Sequence, residues 1–441
     1  MGLDQGKGRS TLNIAQADLE LMREPFARPF RFKGSAFHEK WCPVVRLVDG
    51  AGREAIGVGG LAVLWSDARV FGAHTETGGN ALQLAALEEA LRQVAGRAFP
   101  DPMALHDAIV DDVHAYACRI TGLADLRRTF TLVALSALDY AAWLLHARER
   151  GIDRFDDLVP DRFRPYLSER QRSVALAPAV GYTLPMEQLR ALLDAGGHVL
   201  KIKIGQPGAE DEMLAKDIAW LDRIHALAGG IETDRTDSGR VLYYLDANGR
   251  YSRKETMARL LDHCRDAGYL DRVILVEEPF ARPDELDVHG LPARFAGDES
   301  VESADDVRAR IEQGYGAIAI KTAGKTISRS FRMIAAAREA GATCFVADNA
   351  CLPMMVEWNK NVAARLPAFP GLPGQLLESN GPENYARWDD MLAEFPLADA
   401  PWLRPRRGAV ELGETYYRAS GGIFETPGPY ANLFRERSAG G

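Results

Sequence analysis

An α/β architecture, a (β/α)8 TIM-like barrel carrying an α+β cap, is what this sequence predicts. The first observation is a series of eight apolar, strand-like runs beginning near residues 174, 199, 241, 273, 294, 316, 342 and 374, with helical segments between them. The second is that five of these runs end abruptly on charge: VLKIKIG (199–205), VLYYLDANGRY (241–251), VILVEEP (273–279), RFAGDES (294–300) and YGAIAIKTAG (315–324). A strand buried among neighbours reads as a near-continuous apolar run. Charge at its C-terminal tip is where a parallel α/β enzyme keeps its catalytic groups. The third is a change of style near residue 173, before which strands and helices come in separate blocks.

Residues 1–24 are polar and are expected to be mobile at the start. From 25 to 75, RPFRFKG, WCPVVRLVDG and EAIGVGGLAVLW are separated by glycine-bearing turns and predict antiparallel strands. ALQLAALEEALRQVAG (81–96), ALHDAIVDDVHAYACRITG (104–122) and TFTLVALSALDYAAWLLHA (129–147) repeat apolar residues every three or four positions, as helices do. Strands followed by a block of helices indicate an α+β domain, assigned to residues 1–172. The last helix is apolar enough to raise the question of a membrane, but Ser136, Asp139 and Tyr140 within it favour a buried helix. The barrel is assigned to 173–390: SVALAPAVGY, a helix closed by glycines, VLKIKIG, helix 210–228, VLYYLDANG, helix 253–268, VILVEEP, a short helix near 283–288, RFAGDES, helix 303–313, GAIAIK, helix 328–340, ATCFVADN, a helix near 354–366 and GQLLESN. The remainder, 391–441, is rich in Pro, Gly and aromatics and is expected to pack back on the cap.

Bulk properties exclude several functions. The chain has 441 residues, 46% hydrophobic and 26% charged, which is ordinary for a soluble globular protein. A net charge of −9 offers no basic stripe, so nucleic acid is a poor partner. Five cysteines form no C-x-x-C pair and suit a reducing cytoplasm better than a disulfide framework. The opening MGLDQGKGRSTLN has no apolar signal region, and Gly6 stands where a myristoylation signal needs Ser or Thr. A cytoplasmic homo-oligomer acting on a small molecule is the expectation, with no membrane partner.

The strand tips define a chemistry. Lys203 ends strand two and Lys321 ends strand six, so they face each other across the barrel mouth. Asp246, Glu277 and either Asp298 or Glu299 end strands three, four and five, on the arc between the lysines. Three converging carboxylates make a hard-oxygen site suited to Mg²⁺, with Mn²⁺ as an alternative. Such a site polarises a carboxylate substrate and stabilises the enediolate left when its α-proton departs. In the K-I-K run both lysines face the same side, and two ammonium groups that close, beside a metal cation, are expected to disfavour protonation of at least one. That makes Lys203 the expected base and Lys201 its electrostatic neighbour. Lysines on both faces fit a racemase or epimerase most simply, with dehydration by the same half-reaction as an alternative. A Schiff-base aldolase using Lys321 and a non-catalytic binding barrel are the other readings.

Each element alone has an ordinary explanation. K-x-K is commonly a solvated face, Glu277-Glu278 before Pro279 a loop start, Asp298-Glu299-Ser300 a helix cap and Asp246-Ala-Asn-Gly a turn. Five such coincidences at barrel spacing are the argument against them. For Lys33, His38 and Trp41 no contact with the site is expected.

These motifs resemble the enolase superfamily, in particular the mandelate racemase/muconate lactonizing enzyme family and its muconate lactonizing subgroup, over residues from about 25 to 395. The carrying residues are KIK (201–203), Asp246 in LDANGRY, Glu277 in VEEP, Asp298 in GDES and Lys321 in AIKTAG. The resemblance implies Lys203 and Lys321 as the acid/base pair, assisted by Lys201, and Asp246, Glu277 and Asp298 as Mg²⁺ ligands. Asn248, Glu278 and Glu299 would support those ligands. It implies a small carboxylate substrate and an isomerase or lyase: racemase, epimerase, cycloisomerase or dehydratase. Relatives resembling mandelate racemase use a histidine on strand seven, but all nine histidines here precede strand six, which leaves the two-lysine arrangement. Three departures bear on the substrate. TAGKTIS brings Lys325 near the site, ADNAC adds Asp348 and Asn349 to the rim, and LLESN gives Glu378 where dipeptide epimerases carry paired aspartates.

Overall fold

The computed structural model describes residues 11–33 and 35–439. Eight parallel strand positions close into a barrel: Ser173–Ala177 continued by Ala179–Val180, then Val199–Lys203, Leu242–Asp246, Val273–Glu277, Phe295–Gly297, Ala317–Ile320, Thr343–Val346 and Gln375–Glu378. Closure happens within strand one. Val174–Ala177 pair with Gln375–Glu378, whereas Ala179 and Val180 pair with Lys201 and Ile202 on the other side. Pro178, which lacks an N–H, sits at the change of partner and accepts a 3.1 Å hydrogen bond from the Lys201 amide. The register aligns the tips of strands two, three and four, setting Lys203 opposite Asp246 and Asp246 opposite Glu277. The interior beneath them is filled by small residues such as Ala175, Ala296, Ala317 and Ala319 with Tyr244 against Phe345, ring centroids 5.5 Å apart. A packed barrel interior confines polar chemistry to the mouth.

The cap begins earlier than its polarity suggests. Gln16–Phe32 is a long strand paired antiparallel with Ser35–Val48, which pairs in turn with Glu54–Val58. Residues 1–24 were read as a polar segment, mobile at its start, and its part from Gln16 onward is strand. Asp18 is bound by Arg46 (2.7 Å) and Arg23 by Glu39, so the charges stitch the hairpin together. Residues 1–10, which include the residues read for a signal or lipid anchor, lie outside the described residues. Two other local expectations fail. Val63–Ser66 in LAVLW is a helical turn instead of a strand. The stretch near 283–288 forms turns rather than a helix, because the Pro283 carbonyl is taken by the side chains of Arg310 (2.7 Å) and Gln313 (2.9 Å).

Helices Ala68–Val94, Pro102–Thr121 and Arg128–Arg150 complete the cap. Arg128–Arg150 is long and apolar enough to cross a membrane, yet its apolar window is wholly buried. Gly57 lets the cap sheet lie directly on it, since a Cβ there would stand 2.1 Å from the Ala137 carbonyl oxygen. Its few polar residues fasten it to the barrel. Ser136 donates to the Ala323 carbonyl (2.8 Å), Tyr140 meets Thr322 (2.7 Å), and Asp139 accepts from the amides of Ile327 (2.8 Å) and Ser328 (3.1 Å). After the barrel, Ala409–Glu411 adds antiparallel to strand one, and Arg46 of the cap sheet stacks on Phe434. All five cysteines are free thiols.

Candidate active site

Lys201 rises from the middle of strand two into three carboxylates: Glu277 at 2.7 Å, Glu378 at 2.9 Å and Asp246 at 3.0 Å. Two residues on, Lys203 reaches Asp246 at 2.5 Å and Asn248 Oδ1 at 2.9 Å. From strand six, four positions around the barrel and so on its far side, Lys321 binds Asp298 at 2.7 Å and lies 4.2 Å from the Trp65 ring centroid. A neighbouring amine and a metal cation were expected to disfavour protonation of at least one lysine here, and the acids of the mouth act in the opposite sense on Lys201. Carboxylates stand between the amines. Burial works against the charge on Lys201, but Asp246, Glu277 and Glu378 raise its pKa well above the usual lysine value. Lys321 is likewise raised, with Asp298 and Glu378 outweighing burial.

The acid groups divide into those that are fully engaged and those that are not. Both Asp246 oxygens have partners, Oδ2 with the two lysines and Oδ1 with the Asn248 amide (3.0 Å). Glu277 Oε2 takes Lys201 and the Tyr244 hydroxyl, but its Oε1 is buried without a hydrogen-bond partner. Glu299 Oε1 accepts from Asn248 Nδ2 (3.1 Å) and meets Lys33 (2.9 Å), while its Oε2 is also buried and unpartnered. Asp298 Oδ2 accepts from Lys321 and from Trp65 Nε1 (3.2 Å). Its Oδ1 lies 2.9 Å from Lys325 Nζ, outside hydrogen-bond geometry. Glu277, Asp298 and Glu299 each place one oxygen within 4.8 Å of the others. Buried carboxylate oxygens left without donors are what a hard divalent cation would satisfy, so this donor set fits Mg²⁺. Of the anticipated ligands this cluster holds Glu277 and Asp298 together with Glu299, while Asp246 is engaged by Lys201, Lys203 and the Asn248 amide.

Electrostatics follow this division. Glu277 is pushed well above the usual carboxylate range by burial and by neighbouring Asp246. Asp298 goes the other way: burial is outweighed by Lys321 and Lys325, which hold its carboxyl well below that range. Glu278 stands at φ 40°, a left-handed conformation rare for a side chain of this kind. The turn sends Glu277 toward Lys201 and Glu278 behind the next tip, where it accepts from the Asp298 amide (2.8 Å) and Ser300 (3.0 Å). Burial and then Glu299 push its pKa up to about 7.

A cavity lies between these tips and the cap, with Lys201, Lys203, Asp246, Asn248, Asp298, Lys321, Asp348, Asn349 and Glu378 in its barrel wall. Lys325, expected near the site as a possible pocket residue, lies beside it but fully buried behind Asp298, donating to the carbonyls of Asp298 (2.7 Å) and Ala319 (3.2 Å). Two residues that sequence reasoning did not place here come from the cap. Lys33, at the hairpin tip, reaches Glu299 and the Trp65 carbonyl (3.2 Å), which corrects the expectation of no contact. Trp65 itself bridges Asp298 and Lys321. Gly324 makes this approach feasible, since a Cβ there would lie 2.9 Å from Lys321 Cδ and 3.1 Å from Trp65 Cη2. His38 and Trp41 do not line the cavity and bind Glu76 and Glu39.

Comparison with known proteins agrees with this geometry. Residues 186–400 match the family model described as Enolase C-terminal domain-like. No functionally curated protein matches the chain. Among solved structures, a dipeptide epimerase from Enterococcus faecalis V583, complexed with Mg and the dipeptide L-Leu-L-Tyr, is 17% identical with a TM-score of 0.60 over 91% of this chain and 98% of its own. L-talarate dehydratase from Polaromonas sp. JS666, complexed with Mg and L-glucarate, is 17% identical (TM-score 0.58; 92% and 93% covered). 2-Chloromuconate cycloisomerase from Rhodococcus opacus 1CP is 20% identical (TM-score 0.57; 91% and 94%). At these identities the structures speak to the shared fold, which hosts epimerases, dehydratases and cycloisomerases alike.

Proposed function

We propose that this chain, whose residues 186–400 match the enolase C-terminal domain-like model, is an enzyme of the enolase superfamily that removes the proton α to the carboxylate of a small acid. Returning that proton from either face makes it a racemase or epimerase. The observation that supports this most is the placement of Lys203 and Lys321 on barrel strands two and six, lining one cavity with buried acid oxygens between them.

Each residue then has a task. Lys203 and Lys321 exchange a proton with the α-carbon from opposite sides. Asp298 pairs with Lys321, and Trp65 contacts both. Lys201 holds Asp246, Glu277 and Glu378 in position through three ion pairs. Glu277 and Asp298, with Glu299 or Asp246, would hold Mg²⁺ or Mn²⁺. Bound there, the cation supplies the positive charge that favours loss of a proton beside a carboxylate. Asn248 and Lys33 orient Glu299.

Incubating the protein with a library of carboxylic acids in D₂O tests the reading. The expected result is exchange of the α-hydrogen seen by NMR, lost with chelator and restored by Mg²⁺. Exchange insensitive to chelator, or covalent trapping of substrate on Lys321 by borohydride, contradicts it. A 2-keto acid product would move the reading from epimerisation to elimination.

A further inference from the structure

The cap wall of the cavity differs in kind from the barrel wall. Phe30, Phe37, Leu61, Leu64, Trp65 and Phe71 form most of it. Its acids are already engaged. Glu39 is held by Arg23 Nε (3.0 and 3.1 Å) and Trp41 (2.9 Å). Glu76 accepts from the amides of His38 (2.8 Å) and Glu39 (3.1 Å), and from the His38 ring (3.0 Å). Among the described residues, no lysine, arginine or histidine of the cap lines the cavity. At the rim, Asp348 accepts from the amides of Asn349 (2.6 Å), Cys351 (2.8 Å) and Asn380 (2.9 Å). Glu378 is taken by Lys201 (2.9 Å), the Asp348 amide (3.0 Å) and Asn380 (2.9 Å).

We propose that the substrate is a monocarboxylic acid whose far end is an apolar group without a second acid, an ammonium or a polyol chain. This rests on the proton-abstraction reading and names the substrate class for the same site. A second carboxylate would meet no cation at the cap wall. An ammonium would find the cap and rim carboxylates occupied by other donors. A row of hydroxyls would be desolvated against aromatic and aliphatic side chains with Asn80 as the remaining neutral polar group of the cap lining, and a buried polar group without a partner is strongly disfavoured. An aryl or branched alkyl group loses nothing of this kind against the aromatic and aliphatic cap lining.

The test uses the full chain with Mg²⁺ and four size-matched panels: aryl or branched alkyl monocarboxylates, dicarboxylates, sugar acids, and dipeptides with a free ammonium. Binding is read by calorimetry and α-exchange by NMR. The apolar panel is expected to bind at least about 100-fold more tightly than the others, on the scale by which polar mismatches discriminate. Phe71→Ala is expected to weaken binding of apolar acids about 10-fold. Leu64→Gln should narrow the gap between panels. Preference for any polar panel, or no binding of apolar acids, overturns the inference. Tight binding of apolar acids without α-exchange leaves it standing and overturns the proposed reaction instead.

Discussion

On the barrel side of the cavity, in its wall and just behind it, Lys201, Lys203, Lys321 and Lys325 pair with Asp246, Glu277, Asp298 and Glu378, each charge touching at least one of opposite sign. On the cap wall, aromatic and aliphatic side chains meet the same space, and the acids present are tied to partners on the cap itself. The first side is built of two ion-pair clusters, one around Lys201 and one around Asp298, whose members depend on one another. The second is a sum of separate contacts. Removing one member of a buried ion network leaves uncompensated charge, whereas trimming an apolar contact loses only its own packing. The two walls should therefore respond to substitution on different scales.

Lys201→Met gives the largest expected effect on stability. It strips Asp246, Glu277 and Glu378 of a shared partner and should cost about 3–5 kcal/mol in urea denaturation. A loss no greater than that of Phe71→Ala would erase the distinction between the walls. Next comes Glu277→Gln, which removes a buried oxygen donor while keeping shape. Mg²⁺ affinity by calorimetric titration should fall about 100-fold or more. An unchanged titration would shift the cation away from Glu277.

The smallest effect sharpens the comparison from outside the cavity. Glu357 is buried with one partner, Lys360, and burial outweighs that partner to push its pKa up to about 7. A carboxyl with a raised pKa contributes stability that is full below the unfolded value near 4.5 and is lost as pH rises through 7. Glu357→Gln should flatten this dependence, by no more than about 1.4 kcal/mol per pH unit between pH 5 and 8. Melting curves of the two proteins that stay parallel over that range would show Glu357 ionised throughout, matched by Lys360 as the mouth acids are by their lysines.

The same contrast governs what could be read from sequence. Strand tips announce themselves, since an apolar run that stops on Lys203, Asp246, Glu277, Asp298 or Lys321 marks both a barrel position and a charge at the mouth. What such a run omits is the turn that follows it. Whether Asp298, Glu299 or both face inward depends on backbone such as the left-handed Glu278, which the letters GDES and VEEP do not encode. Lys33 and Trp65 left no signal because their approach depends on tertiary features. Lys33 rides on a hairpin whose first strand looked like a polar segment, and Trp65 sits in a helical turn whose composition reads as strand. The non-helical 283–288 segment was set by distant side chains, Arg310 and Gln313, in the same way.

The most direct test of two amines sharing one α-carbon is hydrogen exchange in D₂O for Lys203→Ala and Lys321→Ala against each enantiomer of a racemisable substrate. The account predicts that each variant loses exchange about 10²–10⁴-fold with one enantiomer, and that the two variants lose it with opposite enantiomers. Undiminished exchange of both enantiomers in either variant would contradict it.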